Sequence, residues 1–371
     1  MIEKNENNTN GYYNAWKHIF GICNTLPGVT IDQSEEKIHA HLEYEDNFAD
    51  LYMIPVFPGI TLIGMDYRMP YFRYETFLPV AGSSGLSPKA VTEIRNRIFH
   101  YKDIASITKF NYCHCGRTEL LTGNDVYVYM KEHEFAIDKS SLTNQCDFPQ
   151  GYYLGFGFII DDNFSSLNSG IAEAFDIDTD RLCSKYLNKN NQFTYITSCN
   201  SETLALCEQI FHISCNYQKS DIYRLRALTI QLITSYQSAT ETSPIGTRTY
   251  LTKSQICIAK NVAKQIRADL SSHTSAKKMA ADYNTSETSL KNYFREVYGE
   301  NLSAYRNRLR MEKAAELLQD TSLCVSAIAE QVGYLSQSKF SAAFKKYYEV
   351  TPVEFRRKSA LSALDSEKAS F

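Results

Sequence analysis

The spacing of hydrophobic and polar positions divides the chain into a β-type part and two helical parts. From Tyr52 to about Ile160, apolar and aromatic runs of strand length alternate with turn residues, which predicts β-strands. Between Ser201 and Gln237, apolar residues recur at helical spacing, which predicts two amphipathic helices. This helical hairpin either packs on the β region or pairs with a second copy of the chain.

A repeat with an offset of 50 residues follows in the C-terminal part of the chain. Ser286 corresponds to Ser336, and each serine is followed by apolar residues four and eight positions later. A serine before such a stripe is typical of a helix N-cap, because its hydroxyl accepts a hydrogen bond from an unpaired backbone amide. Each repeat therefore predicts one helix with a buried stripe and an exposed polar face.

A shorter helix and a turn precede each of these helices. The shorter helices cover Ala276 to Asp282 and Val325 to Gln331, and the turns contain Asn284 and Gly333. Asn and Gly tolerate the left-handed backbone conformation that a tight turn requires. This arrangement is typical of a double helix-turn-helix, in which the helices after the two serines would enter the major groove.

Two further helices are predicted around the repeat. One runs from Leu302 to about Gln319 and connects the two units. The other begins at Thr351-Pro352-Val353-Glu354, which combines a capping box with proline at the first helical position. The C-terminal part is therefore expected to be all-α.

Charge is distributed unevenly along the chain. Residues 253–358 contain 18 Lys and Arg against 11 Asp and Glu, a net charge of +7, whereas the remainder contains 21 against 31, a net charge of -10. A basic block on an acidic chain favours nucleic-acid binding, because contacts with phosphates supply most non-specific affinity.

Composition is that of a globular protein. The chain has 371 residues, of which 43% are hydrophobic, and no run approaches the roughly 20 apolar residues that span a bilayer. The first ten residues lack the apolar core of a signal peptide. We therefore expect no membrane contact, a cytoplasmic and nucleoid-associated location, and reduced cysteines.

The strand and helix patterns together predict the α+β fold class. Several domains are expected, since 371 residues exceed the roughly 250 to 300 that one hydrophobic core usually holds. The predicted divisions are a partly helical N-terminal extension (1–50), a β-rich domain ending in amphipathic helices (51–238), a linker (239–252), a DNA-binding domain (253–358) and a flexible tail (359–371).

The C-terminal residues resemble the DNA-binding domain of the AraC/XylS family of regulators over about 105 residues. The positions that carry the resemblance are Leu290, Phe294, Gly299, Tyr305, Arg308-Leu309-Arg310, Ala314, Leu317-Leu318, Ile328-Ala329, Val332-Gly333-Tyr334, Ser338, Phe340, Phe344-Lys345, Thr351-Pro352 and Phe355-Arg356. Two positions depart from the family pattern: Glu349 stands where glycine is usual, and Tyr334 where phenylalanine is common.

The resemblance implies a sequence-specific transcription regulator that binds double-stranded DNA in two adjacent major grooves. The implied base-reading residues are Glu287, Thr288, Lys291, Asn292, Gln337, Ser338, Lys339 and Ala342. The residues expected at phosphates are Arg306, Arg310, Lys345, Lys346 and Arg356. Lysine can donate to guanine, and asparagine or glutamine can pair with adenine, whereas phosphate contacts fix register.

For the N-terminal part, the resemblance implies a β-rich domain, cupin-like in many members, that binds an effector or dimerises. Activation is expected rather than repression. The expected partners are RNA polymerase, a small-molecule effector and a second copy bound through residues 201–237. The aromatic residues from Tyr112 to Phe158 would then line an effector pocket or, more commonly, form the core.

Three alternatives stand beside a regulator that is controlled by an effector or a partner. A cupin-like enzyme anchored by the basic domain lacks supporting motifs, since no Walker loop, GxSxG or HExxH occurs and the eight histidines are scattered. A metal- or thiol-responsive regulator would use Cys113-His114-Cys115 or the pair His39 and His41, with the two cysteines on one strand face. A structural nucleoid protein would show little sequence preference. We expect no catalytic residues, no bound metal and no cofactor.

Overall fold

The computed structural model describes residues 13–14, 16–17, 20–21, 28–44, 47–69, 71–72, 107–123, 126–139, 146–161, 164–187, 194–239, 249–320 and 322–359. The chain divides into two compact units, Met1–Tyr250 and Leu251–Phe371. Most of the predicted linker, residues 240–248, and most of the predicted tail, residues 360–371, lie outside the described residues.

Most strands of the N-terminal unit belong to one antiparallel sheet. The strands are β1 (Val29–Gln33), β2 (Ile38–Tyr44), β3 (Asn47–Phe57), β4 (Ile60–Arg68), β5 (Tyr71–Phe72), β6 (Ile107–Gly116), β7 (Thr118–Gly123), β8 (Val126–Met130), β9 (Glu134–Asp138), β10 (Cys146–Asp147), β11 (Tyr153–Asp161) and β12 (Thr194–Ser198). The large sheet has the order β1-β2-β3-β4-β11-β6-β9-β12. β5 pairs with β10, and β7 with β8. Within the described residues, the strands do not close into a barrel, and the cupin-like fold stays a prediction.

Helices cover one face of this sheet. They are α1 (Phe164–Leu167), α2 (Ser169–Ala174), α3 (Thr179–Leu187), α4 (Ser201–Asn216) and α5 (Ile222–Ser238). The predicted helical hairpin is α4 and α5, and its apolar stripe packs on the sheet: Ile210 and Leu225 share a buried cluster with Phe110. This stripe is therefore not available for pairing with a second copy.

The sheet begins before residue 51, inside the segment that the sequence assigned to an N-terminal extension. β1 and β2 form its first two strands, so this boundary is wrong. The reason is a sparse apolar signal, because the only buried side chain of β1 is Ile31. Trp16 and Phe20 pack into the same cluster as Ile31, on the sheet face opposite the helices.

Most of the aromatic residues considered for an effector pocket are core residues. Tyr112, Phe135, Phe156 and Phe158 are fully buried between the sheet and the helices. Tyr129 and Tyr153 are also buried, whereas Tyr127 and Tyr152 are half-buried. The core interpretation is confirmed for the buried members, and no pocket is assigned to them.

A β-bulge separates the two cysteines of the CxC motif. Cys113 pairs with Gly155 and Cys115 with Leu154, so that His114 is the extra residue of β6. Because Gly155 and Leu154 are consecutive and point to opposite faces, the two sulfurs do not share a face. The prediction of a common face is therefore wrong, since it assumed unbroken alternation.

His39 and His41 come together on one carboxylate. Their ring nitrogens lie 2.6 and 2.9 Å from the same oxygen, Oδ1 of Asp50 on the neighbouring strand. No group of three or more His, Cys, Asp or Glu in the described part of the chain is placed to hold a metal ion.

The C-terminal unit is helical, as the pattern predicts. After a two-residue strand, Leu251–Thr252, come α6 (Lys253–Ala268), α7 (Ala276–Asp282), α8 (Glu287–Tyr298), α9 (Leu302–Asp320), α10 (Val325–Gln331), α11 (Gln337–Tyr348) and a last helix, α12, over residues 352–359. None of the helices described in either unit has the length and apolar character needed to cross a bilayer.

Gly155 is required by the close approach of β11 to β6 at the bulge. A Cβ at this position would overlap the backbone carbonyl oxygen of Tyr112. We expect Gly155→Ala to lower the free energy of unfolding by about 1 to 3 kcal/mol, the usual cost of overpacking. Denaturant unfolding of the full chain measures this change.

Gly170 in α2 is the matched control, because nothing lies within 4 Å of an added Cβ there. Gly170→Ala should raise stability by about 0.4 to 1 kcal/mol, because alanine has fewer backbone conformations than glycine in the unfolded chain. If the two substitutions changed the free energy of unfolding equally, the close approach of the strands at Gly155 would not require glycine there.

Candidate nucleic-acid interface

Two serine-capped helices define the candidate interface. Ser286 Oγ accepts a hydrogen bond from the Ser289 amide at 3.0 Å, and Ser336 Oγ accepts from the Lys339 amide at 3.5 Å. α8 and α11 start directly after these serines, as predicted. Each cap provides a hydrogen-bond acceptor for a backbone amide that would otherwise have no partner. It also fixes the N-terminal end of the helix, which is the end that contacts bases in a helix-turn-helix.

An aromatic triad is duplicated behind the two helices. The ring centroids of Phe294 and Tyr298 are 4.6 Å apart, and those of Phe344 and Tyr348 are 4.7 Å apart. Tyr305 lies 5.1 Å from Phe294, and the corresponding Phe355 lies 5.4 Å from Phe344. The sequence offset of 50 residues is therefore a duplication of packing, with these rings holding each recognition helix against the helix that follows it.

The two turns use the predicted residues but differ in length. Asn284 has φ 51° and Gly333 has φ 81°, both in the left-handed region. After each of them the next amide donates to an alanine carbonyl, Thr285 to Ala280 at 3.0 Å and Tyr334 to Ala329 at 2.8 Å. The second turn then has one additional residue before its cap. That residue is Leu335, which is 96% exposed.

This insertion explains a change of offset within the repeat. The alanines of the two turns are 49 residues apart, whereas the capping serines are 50 apart.

The two recognition helices also end in the same way. Gly299 and Glu349, which follow their last turns, both adopt the left-handed conformation, with φ of 77° and 64°. Glutamate at this position keeps the geometry of the usual glycine, although left-handed backbone costs a non-glycine residue roughly 1 to 2 kcal/mol.

Two arginines at equivalent positions hold the start of each unit. Arg306 donates to the carbonyl of Thr274 at 3.0 Å, and Arg356 donates to the carbonyl of Leu323 at 2.6 Å. Thr274 and Leu323 each directly precede the N-cap of the first helix of their unit. Both arginines are half-buried and position α7 and α10. Their contact with phosphates stays a prediction.

Arg310 is a structural residue, so the phosphate contact expected for it is wrong. Only 7% of Arg310 is exposed, and its guanidinium donates to the carbonyls of Leu270 at 2.7 Å and Ser272 at 3.3 Å. It also lies over the ring of Tyr334, 5.6 Å from the centroid. Burial, and next the charge of Arg306, lower the pKa of Arg310 from its usual value. The sequence shows that a basic residue stands at this position, but it does not show that the side chain is buried.

The remaining candidates lie on the surface of the two recognition helices. The exposed members of the predicted base-reading set are Thr288, Lys291 and Asn292 on α8 and Gln337, Ser338, Lys339 and Ala342 on α11. Glu287 is half-buried and pairs with Lys291, with 2.6 Å between Oε1 and Nζ. Lys345 and Lys346 are exposed in the last turn of α11.

Three exposed basic residues were missed by the sequence interpretation. Lys277 and Lys278 lie in the first turn of α7, where the first helix of such a unit crosses the DNA backbone. Arg295 occupies in α8 the place of Lys345 in α11. The repeat offset alone would have identified Arg295, because its counterpart was already a phosphate candidate.

Comparison with known proteins places this part of the chain among helix-turn-helix domains. A family model described as a helix-turn-helix domain matches residues 279–358. The xylose operon regulatory protein of Escherichia coli is 38% identical over 71 residues, which are 19% of this chain and 18% of that protein. The HTH-type transcriptional regulator MtrA of Neisseria gonorrhoeae is 36% identical over 80 residues, or 22% of this chain and 27% of that protein.

Among solved structures, the C-terminal domain of AraT, a response regulator from Geobacillus stearothermophilus, is 35% identical with a TM-score of 0.27. The match covers 27% of this chain and 84% of that chain. The chain therefore matches these two relatives over only 18% and 27% of their lengths.

The two kinds of basic residue should behave differently on substitution. Arg310→Ala leaves two carbonyls without their donor, and we expect a loss of about 3 kcal/mol in the free energy of unfolding. Lys345→Ala should change stability by less than about 0.5 kcal/mol and reduce the slope of log affinity against log salt by about 0.9 on a non-specific duplex. An Arg310→Ala protein of unchanged stability but reduced slope would contradict the structural role.

Proposed function

Because the C-terminal region is an AraC-type helix-turn-helix domain, we propose that the chain is a sequence-specific transcription regulator. Its N-terminal unit receives a signal, and its C-terminal unit binds the DNA. The observation that carries the proposal is the pair of capped recognition helices with exposed polar faces, backed by a duplicated aromatic core. Such a protein acts on the chromosome, at the nucleoid.

Base reading falls to residues in the first half of each recognition helix, most of which are exposed and polar. Lys291 and Lys339 can donate to guanine O6 and N7, and Asn292 and Gln337 can pair with adenine. Glu287 can accept from an amino group of a base, and Thr288, Ser338 and Ala342 can contact base edges or thymine methyl groups.

Phosphate contacts fall to the lysines and arginines at the edges of the interface. Lys345 and Lys346 are joined in this role by Arg295, Lys277 and Lys278. The net charge of +7 between residues 253 and 358 supports binding to a polyanion. Two recognition helices in one chain support reading of two major grooves about one helical turn apart.

The N-terminal unit supports a separate sensory or dimerising role. It has a large sheet and two buried hydrophobic clusters, which support a role in receiving an effector or a partner. A homodimer through residues 201–237 would use the outer side of the helices, where Tyr223 is 76% exposed. On the family resemblance alone, we expect activation and contact with RNA polymerase.

Lys339→Ala tests the base-reading role. Loss of a base contact should weaken specific binding by about 1 to 3 kcal/mol and relax the sequence preference at one position. Footprinting and binding-site selection with the full chain measure both effects, and the wild type should protect two segments about one helical turn apart.

Lys313→Ala provides the control, because Lys313 is an exposed lysine of α9 paired with Glu316 and lies outside both recognition helices. Its footprint and preference should match the wild type. A single short protected segment, or an unchanged preference for Lys339→Ala, would contradict the proposed mode of binding.

A further inference from the structure

The two recognition helices differ at the position directly after their caps. Glu287 in α8 corresponds to Gln337 in α11, and Lys291 corresponds to Ser341. Only the first helix therefore carries an ion pair one turn long on its exposed side, with Oε1 and Nζ 2.6 Å apart. The side chains of Glu287 and Lys291 are 40% and 54% exposed, so the pair is open to a ligand on that side.

Overall charge also separates the helices. α8 contains two glutamates, one lysine and one arginine, whereas α11 contains three lysines and no acidic residue. A carboxylate near phosphates is repelled unless a donor approaches it. Glu287 therefore opposes non-specific binding by the first helix, and nothing equivalent opposes it in the second.

Few groups in the major groove can satisfy a carboxylate. The edges of the bases offer only two amino groups there, N4 of cytosine and N6 of adenine. The ammonium group of Lys291 has three donors, so it can keep Glu287 as a partner and also donate to an acceptor on the DNA. A guanine–cytosine pair presents both complements side by side: the cytosine amino group for Glu287, and guanine O6 and N7 for Lys291.

We propose that Glu287 and Lys291 act as one recognition element that selects a guanine–cytosine pair in the half-site of the first helix. Glu287 accepts from cytosine N4, and Lys291 donates to guanine O6 or N7. This inference rests on the proposed function and deepens it. In the absence of its base pair, the carboxylate rejects the site, so the element discriminates by repulsion as well as by attraction.

Glu287→Gln is the sharpest test, because it removes the charge, keeps the shape and introduces the residue found at the same place in the second helix. A randomised duplex library should yield, with the wild-type full chain, one guanine–cytosine position attributable to the first helix. Replacing that pair by adenine–thymine should weaken wild-type binding about tenfold or more. For Glu287→Gln we expect that preference to fall below about threefold and binding to non-cognate duplex to increase.

Gln337→Glu is the reciprocal control, and it should leave the position read by the first helix unchanged. Circular dichroism of each variant checks that the helices are intact. The proposal is overturned if Glu287→Gln selects the same sites as the wild type with the same strength, or if the altered position holds adenine–thymine in the wild-type sites. Failure of the wild-type chain to enrich any sequence would instead overturn the proposed function itself.

Discussion

The C-terminal unit depends on arginine side chains that donate to backbone carbonyls. Arg306 and Arg356 hold the residue before the first helix of each unit, and Arg310 holds the loop between α6 and α7. These bonds join segments that are more than 30 residues apart. Burying a guanidinium is costly, but hydrogen bonds to carbonyl oxygens offset part of that cost, so the three side chains can help to fix the angle at which the first helices stand against the recognition helices.

Local features of this unit were predictable from sequence, and its long-range contacts were not. The caps at Ser286 and Ser336 and the left-handed turns at Asn284 and Gly333 follow from neighbouring residues, and the structure has them. The role of Arg310 depends on backbone carbonyl oxygens some 40 positions away. Because every residue has such a carbonyl, the residue types do not reveal which one accepts the bond. The sequence therefore identifies the arginine but not its acceptor. In the structure this arginine is buried and donates to backbone carbonyls, where the sequence had predicted a phosphate contact.

The N-terminal unit shows the same limit in a sheet. Strand-length runs predicted the β region, and helical spacing predicted α4 and α5, because both signals extend over many residues. A single bulge at His114 was enough to place Cys113 and Cys115 on opposite faces. The first two strands were not predicted, because few of their residues are buried and apolar; in the first strand only Ile31 is buried. Pairing with neighbouring strands, which sequence does not display, is what makes them part of the sheet.

The additional residue in the second turn has a consequence for the shape of any site that this domain reads. With Leu335 inserted, the second unit is not an exact copy of the first, so exchanging the two units would not restore the same surface. A duplex bound by unlike units in a fixed order has a head and a tail. Under the proposed binding mode, one chain would therefore distinguish upstream from downstream, a polarity that a symmetric dimer on a palindrome lacks.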